Sequence, residues 1–330
     1  MLSRVAENIY WMARYIERAE DVARLINVNM NLQLDLPKKV RTGWQPLIDI
    51  TGSTKLFAEL HDNSDERTVV RFLMGEQQNP GSIISALIQA RENARTIRDI
   101  IPREAWEQVN DLYLKAKNDV QSGLSQRGRY DYLRSIILGA QTITGQLAGT
   151  MTHDHGYDFL RIGRNLERAD MTTRIIDVRT ATLLPERLGD LAPFENIQWM
   201  SVLKSLTGYQ MYRRQMQVRV NRADVLEFLF KDAQFPRTLR HCVGEVEDCL
   251  RHLPRSDELR KTTAQIQETL ESLDTSKFDE TKLHKMLDKF QLTLGDLHNQ
   301  ISTTYFSLER KPPAKAKSAE SGSGKAKKSA

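Results

Sequence analysis

The sequence has little of what bends or cross-links a chain. In 330 residues there are 10 prolines, 17 glycines and 2 cysteines. So few breakers leave room for long helices, and the abundant Leu, Ala, Arg, Glu and Gln are good helix formers. No apolar run approaches the roughly 18 residues of a membrane span. The opening stretch from Met1 to Met12 is interrupted by Arg4 and Glu7, so it does not read as a signal peptide. A cytoplasmic protein without a membrane partner is expected. Cys242 and Cys249 are seven residues apart. On a helix this places them about 10 Å apart along the axis, beyond the ~7 Å Cα separation of a disulfide. Free, buried thiols in a reducing compartment are therefore expected. The neighbouring His241 and His252 match no common zinc spacing. A Gly-rich nucleotide loop ending in Lys-Ser/Thr is missing, as is a Gly-x-Ser-x-Gly elbow. The chain thus carries no catalytic motif and asks for no cofactor and no metal, which leaves open whether it is an enzyme.

What is present is apolar content of 40%, enough for a core, and charge of both signs. The net charge of +5 is unevenly placed. Residues 310–330 hold seven basic side chains and the single acid Glu320, so residues 1–309 carry about −1. That tail, built of Lys, Ala, Ser, Gly and Pro, is expected to be disordered. The body loses the basic surface on which nucleic-acid binding would rest.

Everything before the tail reads as helix. Val5, Ile9, Met12, Ile16, Ala19, Ala23, Ile26 and Met30 form one stripe at spacings of three and four. Ser3 is the expected N-cap, with helices predicted over 2–33 and about 157–182. Residues 9–28 lie over 159–178 without a gap, at an offset of 150. Arg14, Glu17, Arg18, Ala19, Arg24, Ile26 and Val28 meet identical residues. Phe72-Leu73 and Pro80 then match Phe228-Leu229 and Pro236, and Pro102-Arg103 matches Pro254-Arg255. Gln141, Gly145 and Leu147 match Gln291, Gly295 and Leu297. Prolines and glycines repeated in order are not explained by amphipathic resemblance, and a tandem duplication is expected. The predicted architecture is an all-α helical bundle of two pseudo-twofold-related repeats, about 1–150 and about 151–309, followed by the tail. Each repeat has a long helix, a shorter one near Trp44 or Trp199, a Phe-Leu segment ending at a proline that opens a new helix, and two more helices.

The repeated polar cluster is Arg14, Glu17, Arg18, Glu20 and Arg24, matched by Arg164, Glu167, Arg168, Asp170 and Arg174. Arg14 with Glu17, Glu20 with Arg24 and Asp170 with Arg174 are helix-face neighbours, pairs worth about 0.2–0.5 kcal/mol each. Three readings are open: a solvated face including Asp21, a buried polar network, or a site in which arginines grip carboxylates or phosphates. The first helices of the two repeats are expected to meet at an axis, with Glu17, Arg18, Glu167 and Arg168 buried and paired. Arg91, Glu92, Arg95 and Arg98, and also Tyr209, Tyr212, Arg213 and Arg214, read as solvated faces. In His153-Asp154-His155 a loop metal site competes with a capping role for Asp154.

The string Leu2-Ser3-Arg4, Ala6-Glu7-Asn8-Ile9-Tyr10-Trp11, Arg14-Tyr15, Glu17-Arg18-Ala19-Glu20 resembles the bacterial alpha-E family, a helical group named for its Glu-Arg element. The likeness continues through Asn79-Pro80, Ala90 to Arg95, Trp106, Gly163-Arg164, Glu167 to Asp170, Phe228-Leu229 and Phe235-Pro236-Arg237. It covers nearly all of residues 1–309, departing at His155 and Tyr157, where an acidic residue and a tryptophan are expected. The resemblance implies an association with ATP-grasp ligase-like proteins and transglutaminase-like proteases, in making or modifying a peptide. Three functions follow as expectations. One is a non-catalytic helical scaffold of such a system. The second is an enzyme of the same pathway, with Glu17 and Glu167 as acid and base among the arginines. The third is nucleic-acid association through the lysine tail.

Overall fold

The computed structural model describes residues 2–37, 43–181, 192–216 and 219–307. The tail expected to be disordered lies outside them, as does residue 182 at the end of the second predicted helix. Fourteen α-helices and no strand occupy the described residues. The first half runs α1 (Ser3–Asp35), α2 (Gln45–Ile50), α3 (Thr54–Leu60), α4 (Glu66–Met74), α5 (Ile83–Thr96), α6 (Arg103–Leu124) and α7 (Gln126–Thr150). The second runs α8 (His155–Ala181), α9 (Ala192–Ser205), α10 (Tyr209–Met216), α11 (Arg222–Lys231), α12 (Leu239–His252), α13 (Asp257–Ser272) and α14 (Glu280–Ile301), closed by a π-helical turn at Ser302–Phe306. Three helices follow the Phe-Leu segment in each half.

The long α1 sits at the centre. It packs against α5 and α7 on one side and α8 on another, with α9 and the closing turn also against it. In turn α8 packs on α12 and α14. The apolar stripe of α1 seals the core: Ile9, Met12 and Ile26 are fully buried, each contributing about 1.5–3 kcal/mol. One glycine sets the α1–α8 distance. A Cβ on Gly163 would collide with the Tyr10 carbonyl, so the two backbones touch where any larger residue would hold them apart.

Local start signals fall partly where expected. Asp154 does cap α8, accepting from the Gly156 and Tyr157 amides. Ser3 does not cap α1. The Val5 and Ala6 amides already bond to the Leu2 carbonyl, which makes Leu2 the cap and Ser3 the first helical residue. Pro80 and Pro236 precede their helices rather than opening them. The chain must first turn, and at Pro80 the buried Asn79 holds that turn, donating to the Phe72 carbonyl and accepting from the Gly81 amide. Ser82 and Thr238 then cap α5 and α12. Cys242 and Cys249 are free and buried. Burial pushes the Cys242 thiol up to about 12 and raises that of Cys249. Tyr212, expected on a solvated face, is fully buried beside Phe228.

Candidate functional site

The Glu-Arg elements meet where α1 crosses α8. Glu167 accepts from Arg14 Nε at 2.7 Å and from Arg18 Nε at 2.6 Å, so one carboxylate holds two guanidiniums of the other helix. Reciprocally, Arg168 Nε donates to Glu17 Oε1 at 2.8 Å. Glu17 and Glu167 are each 2% exposed, while Arg14, Arg18 and Arg168 are partly covered. Arg14 pairs across the interface rather than with its own Glu17. Glu20–Arg24 and Asp170–Arg174 do close along their helices.

An arginine absent from the paired sequence elements, Arg237, completes the network. Arg237, in the turn before α12, reaches Glu17 at 2.7 Å, Glu20 at 3.1 Å and Asp21 at 2.5 Å. It is 5% exposed and Asp21 2%. Of the three open readings, the solvated one does not hold for Glu17, Glu20 and Asp21, which are interior because the turn before α12 and helix α8 both lie on them. A lone arginine ahead of a capped helix has no periodic signature, and the only sequence signal for it was the Phe235-Pro236-Arg237 string.

The electrostatics divide the carboxylates. Burial alone would raise the Glu17 pKa, but Arg168 and Arg237 bring it down to about 2. Arg18 and Arg14 do the same for Glu167, again to about 2. Asp21 goes the other way. Burial, with Glu17 and Glu20 adding to it, outweighs Arg237 and lifts its carboxyl to about 8. Arg164 occupies the position equivalent to Arg14 but makes no ion pair or hydrogen bond among the described residues, and its Nε is buried. Burial and then Arg168 weaken its hold on the proton. At the rim, burial and then the Arg14 charge lower His298 to about 4. The neutral ring accepts from the Tyr10 hydroxyl at 2.7 Å, while Tyr10 accepts from Arg14.

Elsewhere, Asp177 on α8 meets His284 and Asp288 on α14, with ligand-type atoms all within 4.8 Å of one another. These residues could hold a divalent cation, although His284 Nδ1 and Asp177 already pair at 2.6 Å. His153 stacks on Tyr157 at 3.9 Å and contacts the Ala148 carbonyl, which makes it part of the turn into α8.

A helical bundle whose central helices are joined by buried Glu-Arg pairs is the class of protein that this geometry defines. The chain belongs to the Alpha-E family, whose model, described as a predicted alpha-helical domain with a conserved ER motif, matches residues 1–306. That dipeptide occurs in the network as Glu17-Arg18 and Glu167-Arg168. The chain is also similar to uncharacterized proteins of Mycobacterium bovis and Mycobacterium tuberculosis, at 23% identity over 92% of this chain and 37% of each relative. It thus spans little more than a third of the length of these curated relatives. No solved structure matches. No described helix is long and apolar enough to cross a membrane.

Proposed function

We propose that the chain is a non-catalytic helical partner of an ATP-grasp ligase-like protein, and through it of a transglutaminase-like protease, in a peptide-forming or peptide-modifying system. The observation that carries the non-catalytic half is the state of Glu17 and Glu167. Both are buried, gripped by arginines and held as carboxylates down to about pH 2. A general acid or base works best with a pKa near the operating pH, so the acid/base alternative for this pair loses its support. The partner comes from the family resemblance. That the matched segment is 37% of the longer mycobacterial relatives is in keeping with a module that works against other polypeptide.

The same reading takes the two halves as products of an old duplication. The reciprocal pairs Arg18 to Glu167 and Arg168 to Glu17 support it, as do the like-placed packings of α5 and α7 on α1 and of α12 and α14 on α8. Arg14, Glu17, Arg18, Glu167 and Arg168 then act first as the joint between halves. A native pull-down with the full chain tests the function. Co-purification of a ligase-like protein is expected, and a chain that elutes alone as monomer or homodimer overturns the reading.

A further inference from the structure

Between α1 and α5 lies a cleft of about 440 Å³, beside the ion pairs and built from the same opening string of sequence. This volume is within the ~300–1,000 Å³ range of small-ligand sites. Trp11 and Tyr15 both line it, stacked at 5.4 Å. Arg14 packs on the Trp11 ring at 5.1 Å and Arg18 on Tyr15 at 5.5 Å. The network thus fixes the aromatic wall in place.

The other lining groups are polar; Thr96 donates to the Glu92 carbonyl, and the remaining side chains make no hydrogen bond to the described chain. The carboxamides of Asn8, Gln89 and Asn93 make no hydrogen bond to the described chain, and neither does the Trp11 indole N–H. Arg4 and Glu7 stand at i,i+3 yet do not pair, whereas Lys261–Glu258 and Lys282–Asp279 at the same spacing close at 2.7 and 3.0 Å. A carboxamide offers a carbonyl acceptor and N–H donors, the complement of a peptide unit. One cation and one anion in the same cleft suit a zwitterion. A phosphate would meet Glu7, and a polycation would meet Arg4. The aromatic wall offers an apolar face to a side chain.

We propose that this cleft binds a short peptide with free ends, its amides held by Asn8, Gln89 and Asn93 and its terminal charges by Arg4 and Glu7. The biological setting rests on the peptide-system reading above, but the test does not, because it uses the purified chain without a ligase. An equimolar set of free tripeptides and the same set acetylated and amidated are titrated into the full chain. Binding is read by saturation-transfer NMR and by tryptophan fluorescence. Free tripeptides are expected to bind with Kd on the order of 1 mM or tighter. The capped set, and the Asn8→Ala/Asn93→Ala variant, should each bind at least about tenfold more weakly, a difference of ~1.4 kcal/mol. The variant's melting should match the parent's, since neither side chain is bonded within the fold. If it does not fold, Glu7→Gln replaces it and should selectively weaken the free peptides. Absence of binding, equal binding of the capped set, or undiminished binding by the variants overturns the proposal, whatever the pull-down shows.

Discussion

Arg237 ties the turn before α12 to the buried acids of α1. Three carboxylates of α1 face it, and removing one partner of a buried pair leaves the others desolvated and uncompensated, at about 3–5 kcal/mol. Arg237→Ala should lose stability of that order in urea unfolding, while Arg103→Ala, whose partner Glu107 is on the surface, should unfold like the parent. Asp21 gives a pH signature. Its folded pKa is raised from 3.8 to about 8, so its contribution is full below about 4 and is lost as pH rises toward 8. Asp21→Asn removes that loss, and the variant should gain on the parent in melting temperature between those limits. Parallel curves would show that Asp21 is ionised throughout. Glu17 and Glu167 have the opposite sign. Lowered from 4.5 to about 2, they stabilise above the ordinary range and lose that contribution as pH falls through it. Glu167→Gln should therefore be less stable at neutral pH and flatter below pH 4.5 in circular-dichroism melts.

At the scale of elements, the joint is α1 on α8, and Gly163 sets it. Gly163→Ala puts a methyl against the Tyr10 carbonyl. Overpacking of this kind costs about 1–3 kcal/mol, and the shift should also lower or abolish protection of the Glu17 and Glu167 amides in hydrogen exchange. Native-like exchange in this variant would show that the helices have room to spare. The two long helices were legible in the sequence because the stripe from Val5 to Met30 is a local, periodic signal. The burial of Glu17 was expected where the first helices of the two repeats meet, but that of Asp21 was not. Whether Glu17 and Asp21 meet water is decided by α8 and the turn before α12, and Arg237 is 216 residues from Asp21 in the chain. Short-range cues failed where a turn intervened: the prolines marked boundaries, but Asn79, Ser82 and Thr238 decide where the helices begin.

At the scale of the molecule, the ion pairs join two sets of helices into one body, with α1 contributing to the packing of both. The carboxylates of Glu17, Glu20 and Glu167 are thus interior, with Arg237 buried and the other arginines that grip them partly covered. The most direct test is a double-mutant cycle on Glu17 and Arg168, which sit on the two facing helices, measured by urea unfolding of the full chain. Glu17→Gln and Arg168→Met should each destabilise, and the double variant should lose less than the sum of the two by about 0.5–3 kcal/mol. Additive losses, or single variants as stable as the parent, would contradict an internal joint and return the Glu-Arg elements to the solvent-facing role that helix periodicity alone suggests.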